Sequence, residues 1–434
     1  MTGAIESLAS TPSETTVRRS APPAARHEHV GWPGAWIDDV LRDGDLLVAA
    51  QGVGEPTTLI RELLGADQLP AEVELFVGLS HSDALAGSEP VPLPLLSFGA
   101  MGPLGARAAT GELNIIPCHF ADVARLLQVR APRRVVPLVQ VSPPDAHGYH
   151  SLGLSVDYTY ELLQVARAVV AEVNDQVPVT SAPRIHASAF AATVRTSRPP
   201  PQISSASAGE TQERIAEYTA ALVMDGATIQ LGVGALPTVV GRALAGHTGM
   251  CVHSTLVGDW LLDLSRGGAL NEGPDAVLVS EVAGSQDLYR YVVSQSITIR
   301  PVRDLMDSAT LGSINRFVSM NSALEVDLSG QVNAEQVSSG YVGGIGGQPD
   351  LLRAAQRSPG GRSIVMLPST ALGGRQSRIV RTLTGNGVTT LRSGVDFIVT
   401  EHGVADLRGK SLAERTEALI GIAAPEHRAG LRAL

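Results

Sequence analysis

The sequence predicts an α/β fold built from two related domains, each with a largely parallel sheet. First, short apolar runs of strand character alternate with amphipathic segments of helix length, which is typical of βαβ units. Second, a pattern of strand, glycine turn and helix occurs twice, and each copy follows an Asp-Gly pair. Third, the 434 residues are enough for two or three domains with full-sized cores.

The two copies of this pattern align on their prolines. After Pro56 the chain reads TTLIRELLG, and after Pro237 it reads TVVGRALAG. Thr, Arg, Leu and Gly therefore recur at the same offsets, each time behind a Gly-Val-Gly turn. One recurrence over so long a distance is not the short period of a solenoid, so it favours two related α/β halves.

Apolar runs bounded by turn residues predict strands, and apolar residues spaced three or four apart predict helices. In the first half the predicted strands are Asp45–Ala50, Val73–Gly78 and Val135–Val141, and the predicted helices are Trp36–Leu41, a helix after Pro56 ending at Leu64, and Tyr158–Glu172. In the second half the predicted strands are Ala276–Val279 and Ser363–Leu367, and the predicted helices are Glu210–Met224 and one containing Ala413–Ile422.

Changes in composition mark the predicted domain boundaries. Residues 1–30 are rich in Ser, Thr, Pro and Ala and lack periodicity, which predicts a disordered tail. Residues 197–209, SRPPPQISSASAG, are polar and rich in proline, which predicts a linker. The predicted domains are therefore 31–196 and 210–434, with the active-site segment in the second.

Charge and cysteine content exclude several classes of function. The net charge of −10 and the lack of a basic stripe argue against nucleic acid or an anionic membrane as partner. Cys118 and Cys251 are too few for a disulfide framework and fit a reducing compartment. Neither a secretory signal nor an apolar run of about 18 residues is visible, so a cytoplasmic protein without membrane association is expected.

Two glycine-rich segments are candidate binding loops. Gly232-Val-Gly-Ala-Leu-Pro237 precedes a helix, so its amides can hold a phosphate, a thioester carbonyl or an oxyanion, although a tight packing turn is the alternative. Gly343–Gly347 contains four glycines, so a flat ligand can lie against its backbone, although a flexible surface loop is the alternative. Histidines and cysteines are too sparsely spaced to predict a metal site.

Seven motifs, taken in order along the chain, are much more specific. They are VSPPDAHGYHSLG (141–153), AEVND (171–175), DGATIQLGVGALP (225–237), NSALEVDLSGQVNAE (321–335), GGIGGQPD (343–350), LPSTALGG…SRIV (367–380) and VTEHGVADLRGKS (399–411). Through them the chain resembles the acetyl-CoA hydrolase/transferase family, which includes the 4-hydroxybutyrate CoA-transferases. The resemblance runs from about residue 44 to the C-terminus.

The resemblance implies a fold of two CoA-transferase-type α/β domains and a ping-pong mechanism. In the family a glutamate attacks the acyl-CoA, and the CoA thiolate then converts the acyl-glutamyl anhydride into a glutamyl-CoA thioester. A second acid reverses these steps. Coenzyme A, as acyl-CoA, is the implied substrate, together with an acyl or CoA acceptor; no metal is implied, and a homodimer is suggested.

The resemblance also implies which residues bind coenzyme A. The oxyanion and CoA contacts fall on Gly232, Val233, Gly234, Ala235 and Leu236; Gly346, Gly347 and Gln348 would lie along the CoA, and Gly330 occupies a further CoA-contacting position. Gly343 and Leu351 depart from the serine and phenylalanine that the family carries at the two ends of its GGQ segment.

The sequence departs from the family at the catalytic position itself. The family motif is His-Ser/Thr-Glu, followed after three residues by Asp and Gly; here Thr255 stands at the glutamate and Trp260 at the glycine. A threonine hydroxyl is not ionised at neutral pH, and its ester does not react as a mixed anhydride. Loss of a covalent nucleophile costs on the order of 10⁴–10⁶ in rate, so ordinary transfer through a glutamate here is not expected.

Three residues are candidates for replacement chemistry. If Met250–Thr255 is extended, Cys251, His253 and Thr255 share one face. His253 can act as general base on Thr255, on a bound nucleophile or on water, and Cys251 can act as a nucleophile activated by His253. A structural role is the alternative for both. The carboxylates of Glu281, Glu325 and Glu401 are interpreted as structural.

Three hypotheses follow. The first is an enzyme that moves an acyl group directly from a CoA or pantetheine thioester to a bound acceptor, without a glutamyl-CoA intermediate. The second is a family-type CoA-transferase or acyl-CoA hydrolase with a relocated nucleophile. The third is a catalytically inactive protein that binds CoA thioesters.

Overall fold

The computed structural model describes residues 27–29, 34–86, 89–203, 208–295, 297–385 and 387–433, and it shows two α/β domains. The first-domain strands are β1 (His27–His29), β2 (Leu46–Ala49), β3 (Glu74–Phe76), β4 (Leu95–Ser97), β5 (Leu113–Ile115), β6 (Val135–Val141), β7 (Tyr149–Ser151), β8 (Val170–Asn174), β9 (Arg184–His186) and β10 (Ala192–Thr196). Its helices are α1 (Ala35–Val40), α2 (Thr57–Leu64), α3 (Leu104–Thr110), α4 (Val123–Arg130) and α5 (Thr159–Leu162).

The second domain is longer because short strand pairs and two terminal helices extend it. Its strands are β11 (Thr228–Leu231), β12 (Cys251–Val257), β13 (Val277–Val282), β14 (Thr298–Ile299), β15 (Phe317–Ser322), β16 (Glu325–Asp327), β17 (Val332–Asn333), β18 (Gln336–Val337), β19 (Gly340–Tyr341), β20 (Arg362–Met366), β21 (Thr370–Ala371), β22 (Gln376–Ser377), β23 (Ile379–Val380), β24 (Phe397–Thr400) and β25 (Gly403–Asp406). Its helices are α6 (Glu210–Ala220), α7 (Ala235–Ala243), α8 (Trp260–Arg266), α9 (Gln286–Ser294), α10 (Val302–Met306), α11 (Ser308–Ser313), α12 (Gln348–Arg357), α13 (Leu412–Ile422) and α14 (Pro425–Arg432).

Seven strands of each main sheet follow the same order, which confirms the two related α/β domains predicted from the sequence. The first runs β5-β4-β3-β2-β6-β8-β10-β1, and all its neighbouring strands are parallel. The second runs β14-β13-β12-β11-β15-β20-β24-β25, and only β24 and β25 are antiparallel. In each sheet, four strands that follow one another along the chain, β2–β5 or β11–β14, extend it in one direction. The next three, β6, β8 and β10 or β15, β20 and β24, extend it in the other. The strand order therefore reverses beside β2 and beside β11, where doubly wound sheets bind ligands.

Local predictions agree with this fold except in two places. The helix predicted at Tyr158–Glu172 is wrong, because the structure has only the single turn α5 and then the strand β8. β8 lies between β6 and β10, where both of its faces are buried, so tertiary pairing overrides the helical spacing. Within the segment predicted as a tail, β1 pairs in parallel with β10. The rest of that segment, and residues 204–207 of the predicted linker, lie outside the described residues. Among the described residues, no helix is long and apolar enough to cross a membrane.

The carboxyl ends of the two sheets face each other. The backbone N–H of Val156 donates to the Ser280 carbonyl at 2.9 Å, and that of Val282 donates to the Leu154 carbonyl at 2.9 Å. Residues 154–156 of the first domain therefore pair with the last three residues of β13. The crevice between the domains is therefore the space at these carboxyl ends, and the first glycine turn, residues 52–54, is buried beside it.

A buried polar cluster fixes the same junction. The Gln51 side chain, directly after β2, donates from Nε2 to Oε1 of Glu281 at 2.6 Å, and the Gln51 backbone N–H donates to Asp157 at 2.5 Å. The Ser155 hydroxyl donates to the Gln51 carbonyl at 3.4 Å. Oε2 of Glu281 lies against Gly52, where a Cβ would come within 2.8 Å and where φ is +63°. Only glycine therefore fits at that position.

Ionising both carboxyl groups of this cluster, Glu281 and Asp157, is unfavourable because two negative charges would lie close together in a buried site. Burial, and then the nearby Asp157 charge, raise the pKa of Glu281 to about 8. Burial raises the pKa of Asp157 as well, and hydrogen bonds from Thr159 and Gln51 only partly offset that rise. At neutral pH the proton therefore resides on Glu281.

Glu281→Gln should change how stability depends on pH. Between pH 4.5 and about 8 the folded protein holds a proton on Glu281 that the unfolded chain releases, so wild-type stability falls as pH rises through this window. The variant keeps an acceptor oxygen for Gln51 and lacks the proton, so its thermal midpoint should fall less over the same range. Glu272→Gln, at an exposed position, is the control; identical pH profiles for wild type and Glu281→Gln would refute the protonated assignment.

Candidate active site

Thr255 lies near the carboxyl end of β12, at the crevice between the domains. Its side chain is half-buried, and its hydroxyl makes no hydrogen bond to any other residue that the structure describes. The neighbouring strands β11 and β13 are parallel to β12, so their carboxyl ends open into the same crevice. A side chain longer than threonine at this position would reach further into that space.

His253 shares the strand face of Thr255 but is committed to a neighbouring helix. Its Nε2 lies 2.8 Å from the carbonyl oxygen of Leu305 in α10, and its ring packs edge-on against Phe317. Because a carbonyl oxygen only accepts, Nε2 carries the proton and Nδ1 is the basic nitrogen. The residue is 6% exposed, and burial lowers its pKa more than the carbonyl bond raises it. Its role as a general base stays a prediction.

Cys251 opens β12, at the opposite end of the strand from Thr255. Four residues of extended chain separate the two by about 13 Å, at roughly 3.3 Å per residue. Burial raises the pKa of the Cys251 thiol, which opposes formation of the nucleophilic thiolate. The structure places Cys251, His253 and Thr255 on one face, but it brings no two of them into hydrogen-bond contact within the described chain. The nucleophilic role of Cys251 also stays a prediction.

The glycine turn after β11 presents a free helix start to the crevice. Gly234 is exposed, has φ of +117° and caps α7 without any side-chain hydrogen bond. A Cβ on Gly232 would meet no atom within 4 Å, so the turn is open on that side. Val233 and Ala235 are half-buried, whereas Leu236 is buried in the core. The predicted oxyanion contacts would come from this backbone, since the α7 amides have no internal acceptor to compete for them.

Trp260 holds this turn from below. Its indole Nε1 donates to the Gly232 carbonyl oxygen at 2.8 Å, and its ring is fully buried. Gly241 of α7 passes directly over it, where a Cβ would come within 2.3 Å of the Trp260 Cβ. The ring therefore lies beneath the loop, in contact with its backbone. It braces the loop.

The equivalent helix start in the first domain is closed. Oε2 of Glu172 accepts hydrogen bonds from the backbone N–H groups of Thr58 and Leu59, at 2.8 and 3.3 Å, in the first turn of α2. Its other oxygen pairs with Arg198 at 3.1 Å. A buried carboxylate thus occupies the position where an anionic ligand would bind, so only the second-domain copy is available.

The second glycine loop bridges the two domains. The Gly343 carbonyl accepts from Ala100 at 2.8 Å, and the Gly346 carbonyl accepts from Phe120 at 2.9 Å. The half-buried Gly346 and Gly347 then lead directly into α12. The Gln348 side chain is buried and donates to the Thr390 hydroxyl at 3.1 Å. A ligand along this loop would therefore meet the backbone glycines before the Gln348 amide.

Gly330 lies in a separate turn, between β16 and β17. Its φ is +94°, and a Cβ there would come within 3.1 Å of Arg415 and of Leu407. The position is buried. Glycine is required here by the turn itself, and a contact between Gly330 and CoA stays a prediction.

Other carboxylates near the crevice are already engaged. Glu401, just after β24, accepts hydrogen bonds from the backbone and hydroxyl of Ser369 at 2.8 and 2.6 Å. Glu325 accepts from Asn333 at 3.3 Å, and the charges of Glu325 and Glu401 both act on Arg378. These contacts, with the buried position of Glu281, support structural roles for all three. Within the described ranges, no group of three His, Cys, Asp or Glu side chains could hold a metal ion.

Sequence reasoning missed the residues that join the domains at the site. Gln51 and Asp157 belong to the buried cluster, and His119 pairs with Asp350 across the domain boundary at 2.9 Å. Gln51 was accessible from the sequence, since it immediately precedes the first Gly-Val-Gly turn. His119 carries no local signal, because its partner lies 231 positions away.

Comparison with known proteins gives matches over both domains. The model of the acetyl-CoA hydrolase/transferase N-terminal domain matches residues 37–187, and that of the C-terminal domain matches residues 284–433. A 4-hydroxybutyrate coenzyme A transferase of Clostridium kluyveri is 35% identical over 401 residues, covering 89% of this chain and 92% of the relative. A succinyl-CoA:cyclohexane-1-carboxylate CoA transferase of Geobacter metallireducens is 33% identical, covering 90% and 92%.

Solved structures agree with this match. RipA from Yersinia pestis superposes with a TM-score of 0.83 at 29% identity, covering 92% of this chain and 95% of that one. A 4-hydroxybutyrate CoA-transferase from Porphyromonas gingivalis superposes with a TM-score of 0.73 at 32% identity, with the same coverage. With both domain models matched and the fold shared, the chain belongs to the acetyl-CoA hydrolase/transferase family.

Proposed function

We propose that this protein transfers an acyl group directly from a CoA, or related pantetheine, thioester to a bound acceptor, without a glutamyl-CoA intermediate. The CoA-transferase scaffold is established by family membership, and the CoA-transferase relatives make an acyl-CoA the expected substrate. The observation that carries the proposal is Thr255, at the position where the family pattern requires the catalytic glutamate; its hydroxyl bonds to no other residue that the structure describes.

The binding half of the scaffold supports the same proposal. The open turn at Gly232–Ala235 offers backbone amides to the thioester oxygen, and Trp260 holds that turn in place. Preorganised amides of this kind stabilise the negative charge that develops on the carbonyl oxygen during attack. They do so whichever nucleophile attacks, so they remain useful after the glutamate is lost.

The chemistry restricts the acceptor. In direct transfer the acceptor nucleophile forms a bond to the thioester carbonyl carbon, the carbon–sulfur bond breaks, and the CoA thiolate leaves. A carboxylate acceptor would give a reactive anhydride, so the acceptor is a hydroxyl, amine or thiol, or water. The acceptor loses one proton to a base, and the departing thiolate takes one up.

Structural features disfavour a relocated carboxylate nucleophile. Glu281 is 1% exposed, protonated at neutral pH and bound by Gln51. Glu401 uses both carboxylate oxygens on Ser369. A nucleophile must reach the thioester carbon within about 3–3.5 Å, and neither side chain can do so without breaking these contacts.

Incubation with acyl-CoA should leave the wild-type protein without a covalent CoA adduct. Acetyl-CoA, propionyl-CoA and butyryl-CoA serve as probes, with borohydride reduction and intact-mass spectrometry as the readout. Direct transfer predicts an unchanged mass together with CoA release above the buffer rate. A stable glutamyl-CoA adduct would restore the family mechanism, and binding without any CoA release would support an inactive binder.

Thr255→Glu should restore the family intermediate. The new carboxylate would lie at the carboxyl end of β12, in the crevice that already holds the open glycine turn. We expect a glutamyl-CoA adduct and a rise of at least ~100-fold in CoA transfer to acetate, a small part of the factor that a covalent nucleophile contributes. Thr255→Gln, which is matched in size, should show neither change; equal behaviour of the two variants would mean that Thr255 does not occupy the nucleophile position.

A further inference from the structure

His119 and Asp350 form a side-chain pair across the domain boundary. His119 Nδ1 lies 2.9 Å from Asp350 Oδ1. The two side chains are 43% and 33% exposed, so the pair lies at an accessible surface and not in a core. His119 comes from the segment after β5, and Asp350 comes from the first turn of α12.

Both residues of the pair are attached to the glycine loop at Gly343–Gly347. His119 forms an isolated parallel β-bridge with Gly346, and the N–H of Phe120 donates to the Gly346 carbonyl at 2.9 Å. Gly347 then caps the helix that carries Asp350. Both members of the pair are therefore fixed to the loop that is predicted to lie along the CoA.

This loop lies on the same face of the second sheet as Thr255. On that face α10 covers His253 through the Leu305 carbonyl. The next residue of α10, Met306, comes within 3.1 Å of a Cβ built on Gly347. Thr255 is the next residue of the same face beyond His253, towards the crevice. α10 therefore contacts both the strand face that carries Thr255 and the glycine loop that His119 adjoins.

The geometry of the pair determines which nitrogen is basic. Ionised Asp350 only accepts, so Nδ1 of His119 carries the proton and Nε2 is left with a free lone pair. Oδ2 of Asp350 is buried and has no hydrogen-bond partner among the described residues. A carboxylate that orients an imidazole and stabilises its cation is the arrangement of a general base. In His253, by contrast, Nε2 is used on a backbone carbonyl.

We propose that His119 is the general base of the direct acyl transfer and that Asp350 is its positioning residue; this rests on the proposed function. Nε2 of His119 takes the proton from the acceptor O–H, N–H or S–H as that atom attacks the thioester carbonyl carbon. The carbon–sulfur bond breaks, and the electron pair stays on sulfur. His119 then returns the proton to the CoA thiolate, so the protein ends unchanged.

Variants of the pair test this role with CoA release from acetyl-CoA and butyryl-CoA, water being the acceptor. His119→Gln should lower kcat by ~10²–10⁴-fold with little change in KM, as expected for loss of a general base. Asp350→Asn should lower kcat by at least ~10-fold, because an amide no longer requires the proton on Nδ1. The far-UV circular dichroism spectrum of both variants should match that of the wild type, which excludes unfolding.

Chemical rescue separates a base from a structural side chain. Free imidazole should restore part of the rate to His119→Gly and none to His247→Gly, whose side chain bonds the Val223 carbonyl away from the crevice. The role of His119 would be overturned by full activity of His119→Gln, or by a loss of activity that imidazole does not rescue. The proposed direct transfer would still stand in that case, provided that the wild-type protein forms no CoA adduct. A CoA adduct on the wild type, or no release from either thioester, would overturn the proposed function itself.

Discussion

The site depends on the pairing between the end of β13 and the segment Leu154–Val156 of the first domain. This pairing, with the Gln51–Glu281 bond, brings the carboxyl ends of two separately folded sheets together. Buried polar bonds of this kind are costly if left half-made, since an unpaired carboxyl or amide loses its solvation without compensation. The domains are therefore held in one arrangement, and the crevice between them inherits a defined shape.

The two halves of the chain share a strand order but differ at the helix that follows the glycine turn. Both sheets share one strand order, and both place a glycine turn at the point where the order reverses. In the first half, Glu172 fills the start of α2 with a buried negative charge. In the second half, the start of α7 is left open and Trp260 supports the turn from beneath. The same local pattern thus becomes a structural joint in one domain and an open helix start in the other.

The sequence was informative where function is encoded locally. The repeat behind Pro56 and Pro237 predicted the related domains, and the family motifs pointed to Thr255 as the changed position. It was uninformative where two distant segments meet: the Gln51–Glu281 and His119–Asp350 contacts join residues 230 and 231 positions apart. The burial of the Trp260 ring had no local signal either, because Gly241 on the neighbouring helix packs over it.

The proposed acyl transfer avoids an enzyme-bound CoA thioester. Isotope exchange tests it without knowledge of the acceptor: each short acyl-CoA is incubated with its own ¹⁴C-labelled free acid, and the label entering the thioester is counted. In the family mechanism glutamyl-CoA reacts with the free acid, so label enters at the turnover rate. Direct transfer predicts no incorporation from any acid, and incorporation at turnover rates would contradict it.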